Sequence, residues 1–192
     1  MLQFATCESS RYGIAEEVGM ALEGECKWIR LTGSPDRETV KSLMPGCESA
    51  GAILVLDDNA DLVDELRIHG LHLTSWTRGE AIAAREKLGP HAIVGVTCQT
   101  ACQALELKGL DIDYMVVPAP ADADPLEFYA GFCKEVREAE IAVHPVASGN
   151  FPIVMLPSVI ASGMAGVELS AEVLEAEDPA GFVRTALAAL GR

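Results

Sequence analysis

The stretch Ile53-Leu54-Val55-Leu56-Asp57-Asp58, followed after a helix-like segment by Gly70-Leu71-His72-Leu73, decides how this chain folds. A short apolar run bounded by turn signals suits a strand buried on both faces. Strands of that kind belong to parallel sheets, and in α/β proteins the chemistry gathers at their C-terminal ends. Asp57, Asp58 and His72 are therefore expected on one active-site rim.

The rest of the chain repeats this unit. Further apolar runs lie at Leu2 to Ala5, Trp28 to Leu31, Gly51 to Leu56, Gly70 to Leu73, Ala92 to Val96, Tyr114 to Val117, Ala142 to Ala147 and Gly166 to Leu169. Between them, apolar residues recur at three- and four-residue spacing, which predicts helices over Ala15 to Leu22, Ala60 to Arg67, Gly79 to Leu88, Gln99 to Leu107, Leu126 to Arg137, Val154 to Ser162 and Ala180 to Leu190. The second helix, Asp36 to Leu43, reads as stunted, with Ser34 to Cys47 as a turn of helix or irregular chain. Strict alternation gives a doubly wound sheet or a (β/α)8 barrel, and eight units with no strand to spare favour a compact α/β TIM barrel spanning residues 1–192 as one domain.

Composition sets limits on function. Hydrophobic residues make up 49%, enough for a core, and no run approaches the roughly 20 apolar residues of a membrane span. Met1 to Ala5 reads as a strand rather than a signal peptide, so a cytoplasmic location is expected. The six cysteines are then expected reduced. A net charge of −15 without a basic stripe argues against nucleic acid and anionic membranes. A phosphorylated small molecule stays open, because a cradle of backbone N–H groups binds phosphate against an unfavourable mean field. Homo-oligomerisation is left open.

Trp28-Ile29-Arg30-Leu31, the Leu54 to Leu73 block, Ile93-Val94-Gly95-Val96-Thr97, Asp113-Tyr114, and the run from Val146-Ala147-Ser148-Gly149 to Gly163-Met164-Ala165-Gly166-Val167 follow a known pattern in order. The chain resembles the thiamin-phosphate synthase/TenI barrel family over almost its whole length. That resemblance implies a (β/α)8 barrel. It also implies either Mg²⁺-dependent joining of a hydroxymethylpyrimidine pyrophosphate to a thiazole phosphate or, in the TenI branch, tautomerisation of the thiazole phosphate.

Residue by residue, the resemblance implies an altered mouth. Asp58 falls on the family's Mg²⁺-binding Asp, but Thr77 falls on the second metal carboxylate, so Mg²⁺ binding is weakened without being forbidden. The basic pair after the second strand falls on Thr32 and Ser34, and the lysine-bearing loop after the sixth strand has no counterpart between Val117 and Leu126. Ala119 falls on the catalytic His of the TenI branch. The phosphate-binding turns correspond to Gly149-Asn150 and, shifted by one residue, Ser170-Ala171. Arg30 falls on an inward glutamine.

The resemblance thus implies Asp58 as a metal ligand and Gly149, Asn150 and Ser170 as a phosphate cradle, and Arg30, Asp57, His72 and Thr97, facing the same presumed mouth, are candidate substrate contacts. Other readings stand beside these. Asp57 and Asp58 could cap the helix near Ala60, and Arg30 could pair structurally with Asp57 or Asp58. His72 could be a hydrogen-bonded core residue; His144 is the other histidine of interest. Cys98 and Cys102 are spaced as neighbours on one helical face, either packing or, for Cys98 at a helix N-terminus, redox-reactive. Trp76 could close over a ligand. The expected function is binding of a phosphorylated thiamin precursor with altered catalytic machinery, and the alternative is a non-catalytic ligand-binding or accessory barrel.

Overall fold

In the computed structural model, which describes residues 1–7 and 11–191, eight parallel strands close in chain order into a barrel. The strands are β1 (Leu2–Ala5), β2 (Trp28–Leu31), β3 (Ile53–Asp57), β4 (Gly70–Leu73), β5 (Ile93–Thr97), β6 (Tyr114–Pro118), β7 (His144–Ser148) and β8 (Gly166–Leu169). Closure is made where Leu2 pairs with Val167 and Phe4 with Leu169. The helices are α1 (Ile14–Glu23), α2 (Arg37–Ala50), α3 (Ala60–Leu66), α4 (Arg78–Leu88), α5 (Ala101–Leu105), α6 (Pro125–Glu138), α7 (Leu156–Ala161), α8 (Ala171–Leu174) and α9 (Pro179–Ala189). No helix among the described residues is long and apolar enough to cross a membrane.

Successive side chains of a strand face opposite ways. Leu2, Phe4, Ile29, Leu31, Leu54, Leu56, Leu71, Leu73, Val94 and Val96 point outward and join the helices in the main core. The barrel interior has its own small apolar layer near the N-terminal end, made of Tyr114, Val116 and Val146 with Met1, Trp28 and Ile93 packed on it. Gly95 lets Tyr114 cross the interior, because a Cβ at Gly95 would land inside the Tyr114 ring.

The second helix is not stunted. It runs the full Arg37–Ala50, capped by the Asp36 carboxylate on the Thr39 N–H (2.8 Å) and ended by Gly51 at φ +63°. Pro45 lies inside it and removes the bond to the carbonyl of Lys41. Both residues are exposed, so that carbonyl faces water while Val40, Leu43 and Cys47 continue the buried stripe. The expected helix at Val154 to Ser162 divides into a 3₁₀ turn (Ile153–Met155) and α7, and α8 is an extra turn that the periodicity does not predict.

Candidate ligand-binding site at the barrel mouth

Each strand contributes one polar side chain to a layer that adjoins the apolar one through Tyr114: Gln3, Arg30, Asp57, His72, Thr97, Tyr114, Ser148 and Glu168, from β1 to β8 in order. Arg30 Nε and Nη2 grip the two oxygens of Asp57 at 2.7 and 3.1 Å, and Nη1 reaches Glu168 Oε2 at 2.8 Å. Ser148 Oγ donates to the other Glu168 oxygen at 3.0 Å. His72 stands between the Tyr114 hydroxyl (3.0 Å from Nδ1) and Thr97 Oγ1 (2.8 Å from Nε2). The Gln3 amide joins the groups: its nitrogen donates to Glu168 Oε2 (3.1 Å) and its oxygen accepts from Trp28 Nε1 (2.8 Å). The fork of Arg30 thus meets Asp57 rather than Asp58, with Glu168 as a second partner.

One buried guanidinium serves two buried carboxylates, with Arg30 7%, Asp57 3% and Glu168 5% exposed. Burial works against the Arg30 charge, but Glu168 and Asp57 together hold it charged above its ordinary range. Burial pushes the Asp57 carboxyl up to about 6; Arg30 opposes this, and Asp58 and Glu168 add to it. Burial, helped by the Arg30 charge, holds His72 neutral, well below its usual 6.5. A neutral imidazole offers one donor and one acceptor, which suits the two hydroxyls flanking it.

The rim above this layer is largely committed to the protein itself. Asp58, at φ +51°, accepts the Thr74 N–H at 2.9 Å and also the Thr74 hydroxyl. Neither Asp57 nor Asp58 caps α3; Asn59 does, accepting from the Leu62 N–H at 3.0 Å. Thr77 caps α4. Thr32 is tied to Thr6, its N–H donating to Thr6 Oγ1 (2.9 Å) and its hydroxyl to the Thr6 carbonyl (2.8 Å). Beside them lies a cleft of about 310 Å³ lined by Thr6, Cys7, Tyr12, Glu17, Thr32 and Ser34, with no Lys or Arg among its described lining residues. The side chains that the resemblance assigns to Mg²⁺ are engaged by the protein itself. Asp57 is chelated to Arg30 and both Asp58 oxygens are engaged, and among the described residues no three His, Cys, Asp or Glu converge.

The turns after β7 and β8 are neighbours, because Ser148 pairs with Glu168 across the two strands. Gly149 lies over the Phe151 ring, and a Cβ there would come 2.9 Å from Phe151 Cζ. Phe151 packs edge-on to Tyr129 (6.0 Å), whose hydroxyl donates to the Ser148 carbonyl at 3.1 Å. The Ser170 N–H donates to Glu172 Oε2 at 3.1 Å, while Oε1 is buried with no hydrogen-bond partner among the described residues. Burial raises the Glu172 pKa.

Other sequence candidates fall elsewhere. Cys98 and Cys102 do not share a helical face: Cys98 is buried just beyond β5, Cys102 is exposed on α5, and burial pushes the Cys98 thiol up to about 12, the reverse of a reactive cysteine. His144 is exposed at the start of β7, at the opposite end of the barrel. Trp76 anchors at the mouth, its Nε1 donating to the Thr97 carbonyl at 2.8 Å. Gln3, Tyr114, Ser148 and Glu168 were not singled out from the sequence. Their signal lies in parity, since each occupies an inward position of a short strand.

The sequence profile described as thiamine monophosphate synthase matches residues 3–173. The chain belongs to the thiamine monophosphate synthase family. Thiamine-phosphate synthase of Bacteroides thetaiotaomicron is 33% identical over 97% of this chain and 95% of its own length. The enzyme of the same name from Bacteroides fragilis is 32% identical over 93% and 94%. Among solved structures, a thiamine phosphate pyrophosphorylase from Pyrococcus furiosus superposes with a TM-score of 0.83, covering 99% of this chain and 95% of that one at 22% identity. That likeness bears on the fold. Within the thiamine monophosphate synthase family, this chain is a thiamin-biosynthesis barrel whose mouth is held together by its own ion cluster.

Proposed function

We propose that this protein binds a phosphorylated thiamin precursor at the barrel mouth, with the phosphate on the Gly149-Asn150 and Ser170 amides, and turns over poorly as a synthase. The observation that carries this reading is the Arg30–Asp57–Glu168 cluster, in which the guanidinium of Arg30 is consumed by carboxylates. Releasing pyrophosphate calls for positive charge where negative charge develops, worth roughly 3 to 4 kcal/mol per donor. Thr32, Ser34 and Thr77 supply none, and Ala119 cannot shuttle a proton. Arg30, Asp57, His72 and Thr97 then form the floor beneath the ligand, and Asp58 contributes a weak Mg²⁺ affinity at most. Backbone amides can still hold a phosphate without cations.

A second reading, a non-catalytic accessory barrel, is favoured by the Glu172 carboxylate on the Ser170 N–H. A thermal-shift titration with thiazole phosphate separates the two, because a ligand that binds only the native state raises its stability. The wild-type protein should be protected, Gly149→Val should lose the protection, and Glu172→Ala, which frees the Ser170 amide, should increase it. No shift in either the wild type or Glu172→Ala favours the accessory barrel. Rapid thiamin phosphate formation from pyrimidine pyrophosphate, thiazole phosphate and Mg²⁺ overturns the reading of a disabled synthase.

A further inference from the structure

We propose that the opposite, N-terminal end of the barrel carries a second ligand site, suited to a planar aromatic anion. A cavity of about 590 Å³ opens there, larger than the 310 Å³ cleft beside β1 and β2 and within the usual size range of small-molecule sites. Its walls are apolar: Trp28, Met1, Ile53 and Leu187. The indole of Trp28 is fixed before any ligand arrives, with Nε1 bound to Gln3 and the ring edge-on to Tyr114 at 5.2 Å. A rigid, partly exposed aromatic surface favours a flat partner over a flexible chain.

The rim supplies the charge preference. Lys27 and Arg184 stand at the cavity against one carboxylate, Glu25, in a chain whose net charge is −15. Each cation is steadied by a backbone carbonyl, Lys27 Nζ on Ala50 (2.7 Å) and Arg184 Nη1 on Glu23 (3.1 Å), while Asp178 lies 3.8 Å from Arg184 Nη2. An ammonium has three donors and a guanidinium five, so both retain N–H groups for an incoming carboxylate or sulfonate. A purely inorganic anion leaves the apolar walls unused, and a cationic aromatic meets the wrong charge. This site is independent of the reading of the mouth.

The two tryptophans report on the two ends of the barrel, Trp28 on the cavity and Trp76 on the mouth. In ¹⁵N-labelled full-length protein their indole N–H resonances are assigned with Trp28→Phe and Trp76→Phe, and 2-naphthoate is titrated as the probe. The Trp28 signal should move saturably while the Trp76 signal stays. The double variant Lys27→Glu/Arg184→Glu, altered only at exposed side chains and checked by circular dichroism, should bind at least tenfold more weakly. The neutral 2-naphthylmethanol should also bind at least tenfold more weakly than the anion. Movement of Trp76 alone, a linear unsaturable shift, equal binding by the double variant, or equal binding of the neutral compound would each overturn the proposal.

Discussion

Arg30 stands where the family resemblance implies a glutamine, and its three nitrogens bind Asp57 and Glu168 at 2.7 to 3.1 Å. Its removal strands two carboxylates that are 3% and 5% exposed. Breaking a buried pair by deleting one partner typically costs about 3 to 5 kcal/mol. Arg30→Gln should lose stability of that order in urea denaturation, and Arg30→Lys less, because the charge remains while the fork is lost. The carboxylates released by Arg30→Gln should raise Mg²⁺ affinity over wild type in titration calorimetry. Equal affinity would mean that Arg30 does not keep the metal out.

Among the strands, parity does the organising. Gly95 faces inward on β5 and leaves the space through which Tyr114 reaches His72. Gly95→Ala should overpack this layer, at a cost of about 1 to 3 kcal/mol. Near-ultraviolet circular dichroism of Tyr114 and Trp28 should change with it, whereas an unchanged spectrum and melting curve would show that the ring has room to move.

All eight strands were legible in the sequence because each is an apolar run, and their observed ends lie close to the expected ones. The inward polar layer was only half legible. Asp57, His72 and Thr97 stand out as polar residues toward strand ends and Arg30 through the family resemblance, but Gln3 and Glu168 sit within Leu-Gln-Phe-Ala and Gly-Val-Glu-Leu and read as interruptions of apolar runs. Pairing between strands distant in sequence decides which of these residues meet, and no local spacing encodes it. The second helix reads as stunted in the sequence, yet α2 runs its full length, with Pro45 on the face turned to water and Val40, Leu43 and Cys47 carrying the buried stripe.

At the scale of the whole molecule, the polar layer links protonation to folding with two opposing signs. His72 is held neutral, so below about pH 6.5 the unfolded chain takes up a proton that the native state refuses, and stability falls as pH drops. Asp57, raised to about 6, does the reverse: between its unfolded value near 3.9 and about 6 the native state binds the extra proton, so stability falls as pH rises. His72→Gln should therefore show a steeper loss of stability from pH 4 to 6, and Asp57→Asn a steeper loss on acidification below pH 6.5. Denaturation midpoints measured across that range in the three proteins check this; parallel profiles would refute both assignments.

The ring of side chains has a further consequence for how the barrel is assembled. Arg30 from the first half of the chain needs Glu168 from the last strand, and His72 on β4 needs Tyr114 on β6. A first half-barrel keeps the Arg30–Asp57 pair but lacks Glu168 and Tyr114, so the polar network is complete only when both halves meet. The final strand thus completes the interior begun by the first, and opening the barrel anywhere is expected to cost contacts at both ends of the chain, with urea unfolding followed by tryptophan fluorescence and by circular dichroism giving coincident transitions.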